Sequence, residues 1–332
     1  MKILKRPSIT LPVKTESIPE RFFDLYRDGV SQSFINKFLT CKEQCRLEYV
    51  EGWTPKKEPI WFTYGKLIHH VLSKCYSLKQ IPNTDQVLAF INSYEKLMPP
   101  ISGESDFQTK EIIFGIAEKI IPIYFIKYAD DFKYDHIKNE EVFKVSFPEA
   151  AYLNKSIPIT GRLDGGFLYP GNRCKILDTK CLSLIDDSLG QMLPFDTQVN
   201  LYLWAIKQQH PEYKLDGFIY NIVKRPAHRF GKKESIKEFC DRVATDILSR
   251  MDEFFIRIDI PITEKEIQDW EQKFLIPVLI DIERWYVNNC DSYVNGNALL
   301  TKYGHCAMFD LITTGDTTNY YKRAKPFNEL EE

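Results

Sequence analysis

The sequence predicts an α/β fold, a central mixed sheet flanked by helices, with a helical insertion before the sheet and a helical lobe after it. Three observations carry this. Apolar residues recur at spacings of three and four up to about residue 135. Between residues 142 and 179 the period changes to two, with a turn signal inside the stretch. A helical segment and one more strand pattern then follow. The middle of the chain thus runs helix, three strands, helix, strand, which is the order of a layered α/β core.

Taken in order, residues 1–30 mix proline, charge and scattered apolar residues and are expected to form an arm. Residues 31–50 are predicted as a helix. Phe34, Phe38, Cys41, Cys45 and Tyr49 share one of its faces, and Ser31 or Ser33 could cap it. A second helix is expected over 66–79, with Gly65 just ahead of it. Residues 84–135 are predicted as a helical insertion, broken at Pro99-Pro100 and near Ser102. Val142, Phe143, Val145 and Phe147 mark a first strand, 157–168 a second and 174–179 a third. Tyr169-Pro170-Gly171-Asn172 is a turn signal. Residues 194–209 are expected to be helical, with Pro194 in the first turn, where a missing N–H costs nothing. Residues 216–223 are predicted as a strand, and the remainder as mostly helical. Thr263 and Glu266 form a capping box for a helix to about Asn288, kinked at Pro277. This divides the chain into an arm (1–30), a core (31–230) and a helical lobe (231–332) packing back on the N-terminal helix.

Composition narrows the function classes. The 332 residues carry 44 Lys and Arg against 46 Asp and Glu, a net charge of −2. Any nucleic-acid contact must therefore come from a local basic patch, not a global field. No apolar run reaches the roughly 18 residues that a membrane span needs. The start, MKILKRPSITLPVK, does not read as a signal peptide. A cytoplasmic location is expected. The eight cysteines contain no Cys-x-x-Cys pair, so a zinc ribbon is not supported, and buried thiols, metal ligands or catalytic groups are expected instead.

The chemistry concentrates in two strands. Asp164 follows Gly161-Arg162-Leu163, and Asp178-Thr179-Lys180 ends the third strand. Period-two geometry sends Asp178 and Lys180 to one face and Thr179 to the other. If the strands pair, two carboxylates and an ammonium converge, and a hard divalent cation would relieve the repulsion between the acids. The lysine could then orient or deprotonate a water, or stabilise charge on a phosphate. Gln198 and Tyr202 are four apart on the next helix and share a face. His69 could add an imidazole. Taken singly, each has a plainer reading: a surface ion pair, a partly buried histidine, a hydrogen-bonded helix face.

Together and in order, these residues resemble the PD-(D/E)XK nuclease superfamily. They look most like the branch that holds the RecB and AddB nuclease domains, the Cas4 nucleases and related phage exonucleases. Arg46-Leu47-Glu48-Tyr49 resembles its N-terminal helix, Gly65 to His69 its Gly-x-x-x-His motif, and Gly161-Arg162-Leu163-Asp164 its Gly-Arg-x-Asp strand. Asp178-Thr179-Lys180 resembles its Asp-x-Lys strand, and Gln198 to Tyr202 its Gln-x-x-x-Tyr motif. The resemblance covers about residues 31–230 and, more weakly, to about 312. It implies a restriction-endonuclease-like core and hydrolysis of phosphodiester bonds in DNA with Mg²⁺ or Mn²⁺. His69, Asp164, Asp178 and the Thr179 carbonyl would hold the metal. Lys180 would be the catalytic lysine, and Gln198 and Tyr202 would position it or the strand. Glu140 or Glu141 is a further candidate for the metal shell.

Many members of that branch bind a [4Fe–4S] cluster through one early and three late cysteines. Cys41 and Cys306 match such positions, with Cys45 and Cys290 irregular, and Ile312 stands where another cysteine is expected. Buried thiols are the favoured reading. A cluster on Cys41, Cys45, Cys290 and Cys306, or a zinc site with His305, stays open. Residues 224–233 hold six basic or His residues and no acid. Lys224, Arg225, Arg229, Lys232 and Lys233 are candidates for DNA contact, with Phe230 stacking on a base.

The expected function is an exonuclease or DNA-end-processing enzyme in phage or bacterial recombination or repair, in the host cytoplasm if phage-encoded. A helicase or single-strand annealing protein is a conceivable partner. The alternative is a protein that binds DNA ends or docks a helicase or recombinase without cleaving. A third reading is an enzyme acting on RNA or a modified nucleotide.

Overall fold

The computed structural model describes residues 22–58, 60, 62–98, 103–137, 140–148, 153–185, 189–301, 304–327 and 330. In chain order the first nine strands among the described residues are β1 (Val30–Ser31), β2 (Trp53–Pro55), β3 (Asp135–Ile137), β4 (Glu141–Phe147), β5 (Ile157–Leu163), β6 (Gly165–Tyr169), β7 (Arg173–Lys180), β8 (Lys214–Val223) and β9 (Phe255–Ile260).

The main sheet has the order β3-β6-β7-β8-β9, and a smaller one the order β1-β5-β4. β6 and β7 form an antiparallel hairpin, β7 and β8 run parallel, and β9 returns antiparallel to β8. The hairpin turns where Gly171 and Asn172 both take positive φ, as the Pro-Gly-Asn signal predicts. Parallel pairing of β7 and β8 requires a crossover, supplied by the Thr197–Gln209 helix.

The main sheet is covered on both faces. Cys174, Ile176 and Phe218 pack into one core with the Thr197–Gln209 helix, the N-terminal helix and the late helices. Leu177, Ile219 and Phe167 pack into a second core with the Phe62–Ser77, Glu104–Lys127 and Ile236–Ser249 helices. Alternate residues of β7 therefore go to opposite layers, as period two demands.

Several expectations are corrected. The arm is shorter than expected: Phe23 and Leu25 are fully buried, Asp24 caps the helical turn Leu25–Asp28, and β1 pairs with β5. Residues 1–21 lie outside the described residues. The 31–50 helix is interrupted. Ser31 caps Gln32–Thr40, Cys41 is extended, and a π-helical turn spans Arg46–Val50. The second helix starts at Phe62, so Gly65 lies inside it. The insertion comprises Thr84–Glu95, Glu104–Lys127 and the tight turn Ala129–Lys133, then strand β3. The break at Pro99-Pro100 falls outside the described residues.

The expected 157–168 strand is two strands in different sheets, with Asp164 between them. The 194–209 helix begins at Thr197 under an Asp196 cap, and Pro194 sits in a short 3-10 turn ahead of it. The Thr263–Glu266 capping box is present. Pro277, which cannot donate to the preceding turn, follows a π-helical turn at Glu271–Leu275. The expected boundary near residue 230 does not end the sheet, because β9 extends it. The late helices do reach the N-terminal helix: Trp285 meets Phe38 edge-on at 5.3 Å between ring centroids and Phe34 at 6.5 Å.

Candidate active site

The end of β7 organises the site. Asp178 and Lys180 face the Thr197–Gln209 helix. Lys180 Nζ lies 2.6 Å from Asp178 Oδ2 and donates to Gln198 Oε1 at 2.8 Å. Gln198 Nε2 donates to Asp178 Oδ1 at 2.8 Å and to Tyr202 Oη at 3.2 Å. Lysine, carboxylate and amide close a ring, and the Asp196 cap, accepting from Gln198 N and Val199 N, sets where the amide stands. Gly161 makes room for this: a Cβ there would lie 2.5 Å from the Phe143 ring and 3.2 Å from Tyr202.

Asp164 sits where the chain passes from β5 to β6. Its Oδ2 accepts from Thr179 N at 2.7 Å and faces His69 Nδ1 at 3.1 Å. His69 comes from the Phe62–Ser77 helix. Glu140 approaches from just ahead of β4. Donor atoms of His69, Glu140 and Asp164 all lie within 4.8 Å of one another. Glu140 holds a left-handed backbone (φ 53°) and pairs with Arg162 Nε at 3.0 Å. A non-glycine residue there is strained by about 1–3 kcal/mol, a cost often found at functional sites. Of the two sequence candidates, Glu140 joins the group, while Glu141 belongs to β4.

The charges interlock. Burial pushes the Asp178 carboxyl up and the Asp164 charge adds to this. Lys180 offsets only part, leaving Asp178 at about 6. Burial would depress the Lys180 ammonium, but Asp178 and Asp164 outweigh it and hold it protonated above the ordinary lysine range. Burial would likewise raise Asp164, but His69, Lys180 and the Thr179 N–H hold it below the ordinary range. His69 is raised, because Asp164 outweighs burial. Burial, then the Asp164 charge, raises Glu140.

This donor set fits a divalent cation. One imidazole and two carboxylates converge, and Glu140 is raised by burial first and then by the Asp164 charge. Asp178 Oδ2, buried, is paired with the Lys180 ammonium at 2.6 Å. Mixed N and O donors suit Mn²⁺ as well as Mg²⁺. Of the expected ligands, His69 and Asp164 stand with Glu140 in the close group, and Asp178 lies beside Lys180 and Gln198. The Thr179 N–H is committed to Asp164.

Among the other expectations, Phe230 is partly buried. It packs edge-on against Phe239 at 5.4 Å. Arg225, Arg229, Lys232 and Lys233 are exposed, and Lys224 lies 5.7 Å over the Phe254 ring. Arg225 N donates to Leu182 O, which ties the basic loop to the chain leaving β7. Cys41, Cys45 and Cys290 are buried. Cys45 and Cys290 lie in the large core, Cys306 beside Leu47, Met308, Tyr320 and Ile312 in a separate apolar cluster. Burial pushes the Cys45 thiol well above its ordinary range. His305 is exposed and stacks on Phe309 at 3.7 Å, and no group of three donors forms around it among the described residues.

An α/β core whose sheet is covered by helices on both faces, with an Asp-x-Lys strand end and a carboxylate–imidazole group, defines a class of metal-using phosphodiester hydrolases. The chain belongs to the PD-(D/E)XK nuclease superfamily, whose family model matches residues 29–306. Membership implies a nuclease that uses divalent metal, with DNA as the substrate. No curated protein matches the sequence. No helix among the described residues is long and apolar enough to cross a membrane.

Proposed function

We propose that this chain is a metal-dependent deoxyribonuclease of the RecB/AddB/Cas4-like branch that processes DNA ends in phage or bacterial recombination or repair. The observation that supports it most is the His69–Glu140–Asp164 group standing next to the Asp178–Lys180–Gln198 ring. A cation held by His69, Glu140 and Asp164, with Asp178 and the Thr179 carbonyl as further oxygen donors, would supply Lewis-acid stabilisation of the scissile phosphate.

The chain's own residues do the rest. Lys180, kept cationic by its carboxylate neighbours, stabilises negative charge growing on the phosphate oxygens. Gln198 holds Lys180 Nζ with its carbonyl and Asp178 with its amide, so the ammonium cannot rotate away. Tyr202 fixes the amide from the other side. The exposed basic residues at 225–233 would track the DNA backbone. A helicase or annealing protein is the kind of partner that would present ends. The four cysteines are read as packing thiols, and no step needs an iron–sulfur cluster.

The test is cleavage of end-labelled linear and circular DNA, single- and double-stranded, with Mn²⁺, Mg²⁺ or EDTA, beside Lys180→Ala. Loss of linear substrate that needs metal and fails in the variant is expected. Cutting of circles would make it an endonuclease. Cleavage by Lys180→Ala at the wild-type rate would overturn the assignment.

A further inference from the structure

We infer that a polar row across the main sheet, the buried Thr179 and Asn221 and the half-buried Arg257, positions the Asp164 carboxylate for the cation. The inference rests on the metal-centre reading above; it gives the Thr179 side chain a role and adds Asn221 and Arg257, which no active-site motif contains.

The three are register partners on adjacent strands: Thr179 on β7 lies opposite Asn221 on β8, and Asn221 opposite Arg257 on β9. Being lateral neighbours, they share the face of the sheet turned away from Asp178 and Lys180. Asn221 is 0% exposed and Thr179 3%. An apolar row would pack such a site without the desolvation cost of polar groups.

The polar row instead forms a closed network. Asn221 Nδ2 donates to Thr179 Oγ1 at 3.0 Å. Asn221 Oδ1 accepts from Tyr124 Oη and Arg257 Nε, each at 3.2 Å. The Arg257 guanidinium clamps Asp131 with both terminal nitrogens, at 2.7 and 2.6 Å, and reaches Tyr76 and Tyr124. Tyr76 donates to Asp131 at 2.6 Å. The network therefore ties the C-terminal ends of the Phe62–Ser77 and Glu104–Lys127 helices, and the Ala129–Lys133 turn, to β7.

Two features aim this network at the metal centre. Its end member, Thr179, holds Asp164 Oδ2 through the backbone N–H, so the anchor on the Thr179 side chain also sets the direction of that N–H. Thr179 and Tyr76 also line the same cavity as His69, Glu140 and Asp164. Groups that orient a metal ligand commonly change metal affinity about 10–100-fold when lost. Here the action passes through one backbone bond, and a loss of about fivefold or more is expected.

The experiment measures Mn²⁺ affinity of the full chain by electron paramagnetic resonance of free Mn²⁺, without DNA. Thr179→Val keeps the shape and removes the hydroxyl. Asn221→Leu removes both amide functions. Thr179→Ser restores the hydroxyl. Glu283→Gln perturbs a buried, hydrogen-bonded carboxylate far from the network, whose partners are Tyr26 and Asn154. Thr179→Val and Asn221→Leu should weaken Mn²⁺ binding at least fivefold, while Thr179→Ser and Glu283→Gln bind within twofold of wild type. If Asn221→Leu does not fold, the Thr179→Val and Thr179→Ser pair decides alone. Wild-type affinity in Thr179→Val, or equal weakening in Thr179→Ser, overturns the inference while leaving the metal centre standing. A wild type that takes up no Mn²⁺ overturns the metal-centre reading and this inference with it.

Discussion

Replacing Asp178 by asparagine should stabilise the metal-free protein at neutral pH, though it should cost activity. Asp178 is 1% exposed, and burial raises its carboxyl from an ordinary 3.8 to about 6 even with Lys180 beside it. The native state thus holds the proton more tightly than the unfolded chain does. The stability from that proton is complete below the unfolded value and is lost as pH rises through the folded one. About two pH units separate the two values, each worth about 1.4 kcal/mol, which sets a ceiling of about 3 kcal/mol. Asparagine stands in for the protonated acid and never bears the charge. Lys180 keeps its bond to the Gln198 carbonyl. Urea unfolding in EDTA should show Asp178→Asn more stable than wild type by about 1–3 kcal/mol near pH 7.5, with the gain gone below about pH 4. A variant no more stable near pH 7.5, or equally favoured at both pH values, would refute the reasoning.

Other outcomes follow from the same geometry. Gly65 lies inside a helix, and a Cβ there would meet only Cys181, at 3.8 Å; thermal melting should show Gly65→Ala stabilised by about 0.5–1 kcal/mol. Arg257→Met leaves Asp131 buried without its cation, and chemical unfolding should register a loss of about 3–5 kcal/mol. Neutralising Arg229, Lys232 and Lys233 together should lower DNA affinity in EDTA and flatten its dependence on salt, by about 0.9 in log–log slope for each duplex phosphate that the variant no longer neutralises.

The parts of the site written in local pattern were legible in the sequence. Asp178 and Lys180 share a face because strands alternate, and Gln198 and Tyr202 share one because helices repeat near four. What depended on long-range pairing was not legible. Asp164 looks like a strand residue but stands at the passage between two sheets, since Leu163 and Gly165 pair with different partners. Glu140 and Glu141 are adjacent acids, and only the backbone turn ahead of β4 separates their roles. β9 carried a signal, Ile256-x-Ile258-x-Ile260, which the surrounding helical pattern masked. Asn221 and Arg257 have no local signature, because their meaning lies in register across three strands. The contact of Phe230 with Phe239 of the Ile236–Ser249 helix was likewise beyond local pattern.

The most direct test of the central claim is the anomalous scattering of crystals grown with Mn²⁺. The account predicts a single strong peak bounded by the His69 imidazole and the Glu140 and Asp164 carboxylates, lost in Asp164→Ala. A well-ordered site with no peak there, or Mn²⁺ bound only elsewhere, would contradict it.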